Sequence, residues 1–165
     1  MIQPFKSHRG FTLIEILIVI GLIAVLATVV VVAINPARQF AQARNSQRYS
    51  NVNTILNGIG QRIADNKGLF SGSYTVGSTV YTCPTLIPDT DYNITSSSGS
   101  ANINLVCLIP TYIPTMLPFD PSATGAHWSS VSDYDSKYHA KVDINGRYTI
   151  SAPSSELGQT ISVTR

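Results

Sequence analysis

Cysteine is scarce, with 2 in 165 residues, and so is charge, with 11 Lys and Arg against 9 Asp and Glu. Cys83 and Cys107 form no CxxC and have no His-rich neighbourhood, which excludes the usual zinc and dithiol redox signatures. No G-x-S-x-G elbow, HExxH helix or glycine-rich phosphate loop is present. His127, His139 and Cys83 are scattered rather than convergent, so neither an enzyme nor a cofactor is expected. Collagen-like repeats and the composition of disordered chains are lacking too. The formal net charge is only +2, and losing the first ten residues would remove Lys6 and Arg9 and balance the signs. Overall charge therefore does not select a nucleic-acid partner.

Apolar residues, by contrast, are concentrated at one end. Residues 11–34 contain a single charge, Glu15. As a helix they would span roughly 36 Å, enough to cross a hydrocarbon core of about 30 Å. A secretory signal would have a shorter apolar run closed by a small-residue cleavage site, and none closes this one. A plain single-pass anchor must accommodate Glu15, since a carboxylate at the bilayer centre costs about 2.5–3.5 kcal/mol on insertion scales. Its position near one edge would let it snorkel. Arg38, Arg44 and Arg48 then rival Lys6 and Arg9 across the run, so charge bias sets no orientation.

The segment Arg9-Gly10-Phe11-Thr12-Leu13-Ile14-Glu15, placed directly before the apolar run, resembles the precursor of a type IV pilin or type II secretion pseudopilin with a class III signal. The resemblance covers about 25 residues and implies several things together. A membrane peptidase would cleave after Gly10, and Phe11 would become the methylated N-terminus. Glu15 would pair with a neighbouring subunit's terminal amine during assembly. The implied fold is α+β and type IV pilin-like: a long N-terminal helix, half apolar and half amphipathic, packed on a small antiparallel sheet. The implied partners are other copies of the chain, the prepilin peptidase and methyltransferase, an inner-membrane assembly platform with its ATPase, and the membrane before assembly. The precursor would be single-pass in the cytoplasmic membrane, and the product an extracytoplasmic or cell-surface filament. Many pilins have a proline within the apolar run; here the first is Pro36, leaving Gly21 or the 35–36 junction as the place where the helix could loosen. Within the resemblance, a secretion pseudopilin or minor pilin is the alternative; outside it, an anchored binding module.

The physical chemistry of the motif points the same way. Cleavage would leave an α-amine on Phe11, charged at neutral pH with or without methylation. Glu15 is one helical turn away, at a depth where it can meet that charge.

The expected organisation is a leader at 1–10, an apolar helix at 11–34, an amphipathic helix at 35–67 and a β-rich head at 68–165. Asn35-Pro36 suits an N-cap and first helical position. Val52, Ile55, Leu56, Ile59 and Ile63 form one apolar stripe that needs a sheet to cover. Lys67-Gly68 supplies a basic last turn and a stop. Strands are expected at 74–76, 80–82, 103–108 and 161–164. A hairpin is expected in which Tyr138, Ala140 and Val142 alternate with polar residues, Asn145-Gly146 turns, and Tyr148, Ile150 and Ala152 follow. The serine-rich 96–100 and proline-rich 110–121 read as irregular.

If the head is exported, Cys83 and Cys107 suit a disulfide closing a loop of about 25 residues, the alternative being two buried thiols. Asp133-Tyr134-Asp135 with Asp120 offers oxygen ligands for calcium, but without EF-hand spacing; solvated aspartates in a turn are the preferred reading, and no metal is expected. His127-Trp128 reads as a loop, and Asn93-Ile94-Thr95 is a formal glycosylation sequon. Arg38, Arg44, Arg48, Arg62 and Lys67 all fall on the amphipathic helix. A filament would repeat them as a phosphate-binding surface, though solvation or pairing with neighbouring subunits is the favoured reading.

Overall fold

The computed structural model describes residues 10–165; most of the expected leader lies outside the described residues. The architecture is α+β, with a long apolar helix, a second helix and largely antiparallel sheets, consistent with a pilin-like fold. The first compact unit ends at Gln39 and the second runs from Phe40 to Arg165.

In the first unit, α1 (Leu13–Ile34) is a 22-residue helix with no buried residue. Its hydroxyl at Thr28 donates to the Ala24 carbonyl at 2.8 Å, so the one polar side chain in mid-run is satisfied within the helix. Asn35 ends it in a left-handed conformation, φ 48°, which asparagine tolerates better than most residues. The same Asn35 starts α2 (Pro36–Asp65), its carbonyl accepting from Arg38 N at 3.1 Å and its side-chain oxygen at 3.3 Å. Pro36 loses nothing here, because the first amides of a helix have no partner in any case. At the other end α2 stops at Asp65, two residues before the expected boundary. Lys67 and Gly68 both take positive φ, and Gly68 N closes the helix onto the Ile63 carbonyl at 2.9 Å.

The second unit contains two sheets. Strands β1 (Gly72–Val76) and β2 (Thr79–Cys83) form an antiparallel hairpin of their own. The larger sheet has the order β4 (Asn102–Ile103), β3 (Tyr92–Thr95), β6 (Asp133–Val142), β7 (Tyr148–Ala152) and β8 (Ile161–Thr164), while β5 (His127–Ser130) pairs with the start of β6. The β6–β7 register places Val142 opposite Tyr148 across Asn145-Gly146, as the alternation predicts. The stripe on α2 meets the sheet here. Val52, Ile55, Leu56 and Ile59 share one core with Ile94, Tyr134, Tyr138, Ala140 and Ile150. Gly58 lets the proline-rich connection approach, since a Cβ there would lie 3.1 Å from Ile113.

Three expectations are corrected. Residues 103–108 do not form one strand: after Ile103 the chain turns into a 3₁₀ turn at Val106–Leu108. Side chains have taken over the backbone groups a ladder would need. The Tyr134 hydroxyl accepts from Leu105 N at 3.0 Å and donates to Asn104 Oδ1 at 2.9 Å, which also accepts from Val106 N. His127-Trp128 is strand, not loop, and Asp133-Tyr134-Asp135 opens β6 rather than forming a turn. The buried β3 was not anticipated, because Asn93-Ile94-Thr95 shows one apolar residue and no alternation.

A disulfide joins Cys83, at the end of β2, to Cys107 in the 3₁₀ turn. Closing a loop of that length stabilises the fold by about 3 kcal/mol, largely by restricting the unfolded chain.

Candidate functional site

Two arrangements of functional side chains stand out, one at the start of α1 and one on the inner face of α2. At the first, Thr12 is the N-cap of α1 and its hydroxyl accepts from Glu15 N at 3.3 Å. Glu15 Oε2 reaches back to accept from Thr12 N and from the Thr12 hydroxyl, both at 2.8 Å. This reciprocal capping box satisfies two of the orphan donors of a helix start. It is legible in the spacing Thr-x-x-Glu, yet the sequence reading used the glutamate only for its charge. Glu15 Oε1 has no partner among the described residues, so the carboxylate keeps one oxygen for another donor. Gly10 and Phe11 are both exposed beside it, and Phe11 is 85% exposed. Cleavage between them would free an amine one turn from that oxygen.

The family described as the prokaryotic N-terminal methylation motif matches residues 5–31. Over those residues the chain is similar to that motif. This supports a type IV pilin-like prepilin with a class III signal, and it points to structural proteins rather than enzymes. The motif implies processing by a prepilin peptidase, and with α1, a helix long and apolar enough to cross a membrane, it fits a membrane-anchored precursor. No curated protein and no solved structure matches the chain.

On α2 lies a polar cluster that the local sequence pattern does not show. Arg48 is fully buried. Its Nε and Nη2 grip Asp120 at 2.8 and 3.0 Å, Nη1 donates to Glu156 and Asn45 at 2.9 Å each, and Nη2 also donates to Ser122 at 2.7 Å. Every N–H of the guanidinium is used. Arg44 forks onto Glu156 at 2.7 and 2.6 Å. Asn45 exchanges hydrogen bonds with the Glu156 backbone and donates to Gln159. Arg44, Asn45 and Arg48 thus fasten the β7–β8 connection to the helix.

Electrostatics follow the geometry. The forked Arg44, then Arg48, hold the Glu156 carboxyl at about 2, below its ordinary 4.5. Burial pushes Asp120 up, but hydrogen bonds from Arg48 and from the amides of Ser122 and Ala123 outweigh it and leave it lowered. Hydrogen bonding to Asp120 raises Arg48 despite its burial. Both carboxyls bind protons less readily folded than unfolded, so their contribution is full above the ordinary carboxylate range and is lost on acidification. We expect urea stability of the full chain to fall as pH drops from 4.5 toward 2, and Glu156→Gln to flatten part of that slope. An unchanged slope in the variant would exclude Glu156 as its source.

The acidic residues considered for calcium are not brought together. Asp120 is consumed by Arg48, Asp133 lies 3.2 Å from His127, and Asp135 pairs with Lys137 at 2.6 Å. Among the described residues no three metal-ligating side chains converge. The basic face of α2 is also not what the spacing suggested. Arg44 and Arg48 turn inward, and Arg62, itself buried, stacks over Tyr74 at 4.7 Å and donates to the Gly72 carbonyl. Only Arg38 and Lys67 of that set remain exposed without an ion pair among the described residues.

Proposed function

We propose that this chain is the structural subunit of a type IV pilus-like filament, made as a prepilin, cleaved after Gly10 and N-methylated at Phe11. Residues 1–10 would be the removed leader, 11–34 the membrane helix that becomes the filament core, 35–67 the amphipathic helix, and 68–165 the solvent-facing head. The observation that carries this reading is the methylation-motif match over residues 5–31 running straight into a helix with no buried residue. A helix apolar all round must be covered by lipid or by other apolar helices, and a bundle of identical helices supplies the second environment once the first is left. In it the terminal amine of Phe11 and the free oxygen of Glu15 would neutralise each other between copies. An assembly platform driven by an ATPase would extract each subunit.

Gold-labelled antibody against the head tests the reading in native cells. Label along long surface filaments is expected for a major subunit. Label confined to the envelope of cells whose chain is processed would indicate a secretion pseudopilin or minor pilin, and envelope label on an uncleaved chain an anchored binding module.

A further inference from the structure

Most acidic side chains of the second unit are paired within the chain, whereas Asp65 and the exposed Lys67 have no ion pair among the described residues. Asp89, Asp91, Asp120, Asp133, Asp135, Asp143 and Glu156 each have a Lys, Arg or His partner within salt-bridge distance. On α2 two exposed charges of opposite sign have none among the described residues: Arg38 in its first turn and Asp65 as its last residue. Both have the wrong sign for their place. The N-terminus of a helix carries partial positive charge and the C-terminus partial negative, so a cation at the start and an acid at the end are each unfavourable in isolation.

Beside Asp65 runs an apolar groove of about 520 Å³, lined by Ile59, Gly60, Ile63 and Ala64 of α2 and by Tyr148 of β7. Gly60 and Ala64 are small and one turn apart, which allows another backbone to come close. Gln61 also lines the groove, and Asp65 stands one turn beyond Gln61 on the helix. At the other end Arg165 is tied to Asn57 and Asn53. Arg165 thus lines the groove, and Asp65 follows its lining residue Ala64 in sequence.

The first turn of α2 has a matching composition. Pro36 and Ala37 are exposed, Phe40 is 65% exposed, and Arg38 lies between them in sequence. We infer that the groove along the last turns of α2 receives the first turn of α2 from a second copy, with Arg38 of one chain paired to Asp65 of the other. Each charge then meets its opposite, and the positive end of one helix meets the negative end of the next. The two patches are different surfaces of the same chain, so the contact is heterologous and repeats without closing, as a filament requires. The inference rests on the filament reading and names one of its lateral contacts.

Charge reversal tests it in cells that assemble the wild-type chain. Arg38→Glu and Asp65→Arg, each alone, are expected to lower filament yield about tenfold, as like charges meet in the contact, and the double variant to recover most of it. Singles that assemble like wild type, or a double as poor as either single, would overturn the pairing. As a readout independent of yield, filaments of mixed Arg38→Cys and Asp65→Cys chains should crosslink into dimers on oxidation, whereas either chain alone should not. No crosslink in assembled mixed filaments would also overturn it. Failure of the filament reading looks different: wild type and variants alike would be absent from filaments.

Discussion

Arg48→Met is expected to destabilise the head by about 3–5 kcal/mol, the usual cost of removing one partner from a buried ion pair. Arg48 and Asp120 are both inaccessible to solvent. Without the guanidinium, Asp120 keeps only the amides of Ser122 and Ala123, and Asn45, Ser122 and Glu156 each lose a bond. Adding Asp120→Leu should restore much of the loss, because no ion is then left to desolvate. The measurement is the urea midpoint of the full chain in detergent, read by Trp128, the one tryptophan, which packs on Tyr134 at 5.0 Å. A midpoint unchanged in Arg48→Met would show that water reaches the cluster and that the β7–β8 connection is not fastened as described.

Glu15→Ala is expected to cut filament assembly by about a hundredfold while leaving leader cleavage intact, since an amine left without a partner in an apolar core costs about 3 kcal/mol or more. The capping box complicates that substitution, because alanine removes both the charge and the cap. Glu15→Gln separates them: glutamine's carbonyl oxygen can still accept from Thr12 N, but it cannot neutralise the Phe11 amine. If charge pairing governs assembly, the glutamine variant should assemble as poorly as the alanine one. Assembly at the wild-type level by Glu15→Gln would reassign Glu15 to helix capping.

Much of this was readable from local pattern. The apolar run, the Asn35-Pro36 junction, the α2 stripe and the β6–β7 hairpin all depend on residues close in sequence, where a period of 3.6 or 2 and a turn residue suffice. What escaped depends on distant partners. Arg48 looked like a surface cation because its acids lie 72 and 108 residues away. Residues 103–108 looked like a strand because nothing local shows that a tyrosine on β6 will claim their amides. The reading of Asp133 and Asp135 as turn residues failed for a related reason: β6 begins with polar outward positions that pair with His127 and Lys137. The N-terminal motif was the most legible feature, since its chemistry is confined to one segment, although the Thr12–Glu15 cap within it was passed over.

The most direct test of the account is the intact mass and N-terminal sequence of the protein recovered from cells with an active prepilin peptidase. The expected chain starts at Phe11 and is heavier than the unmodified remainder by one methyl group. A chain still starting at Met1 would contradict it and leave an anchored head whose role has nothing to do with assembly at Glu15.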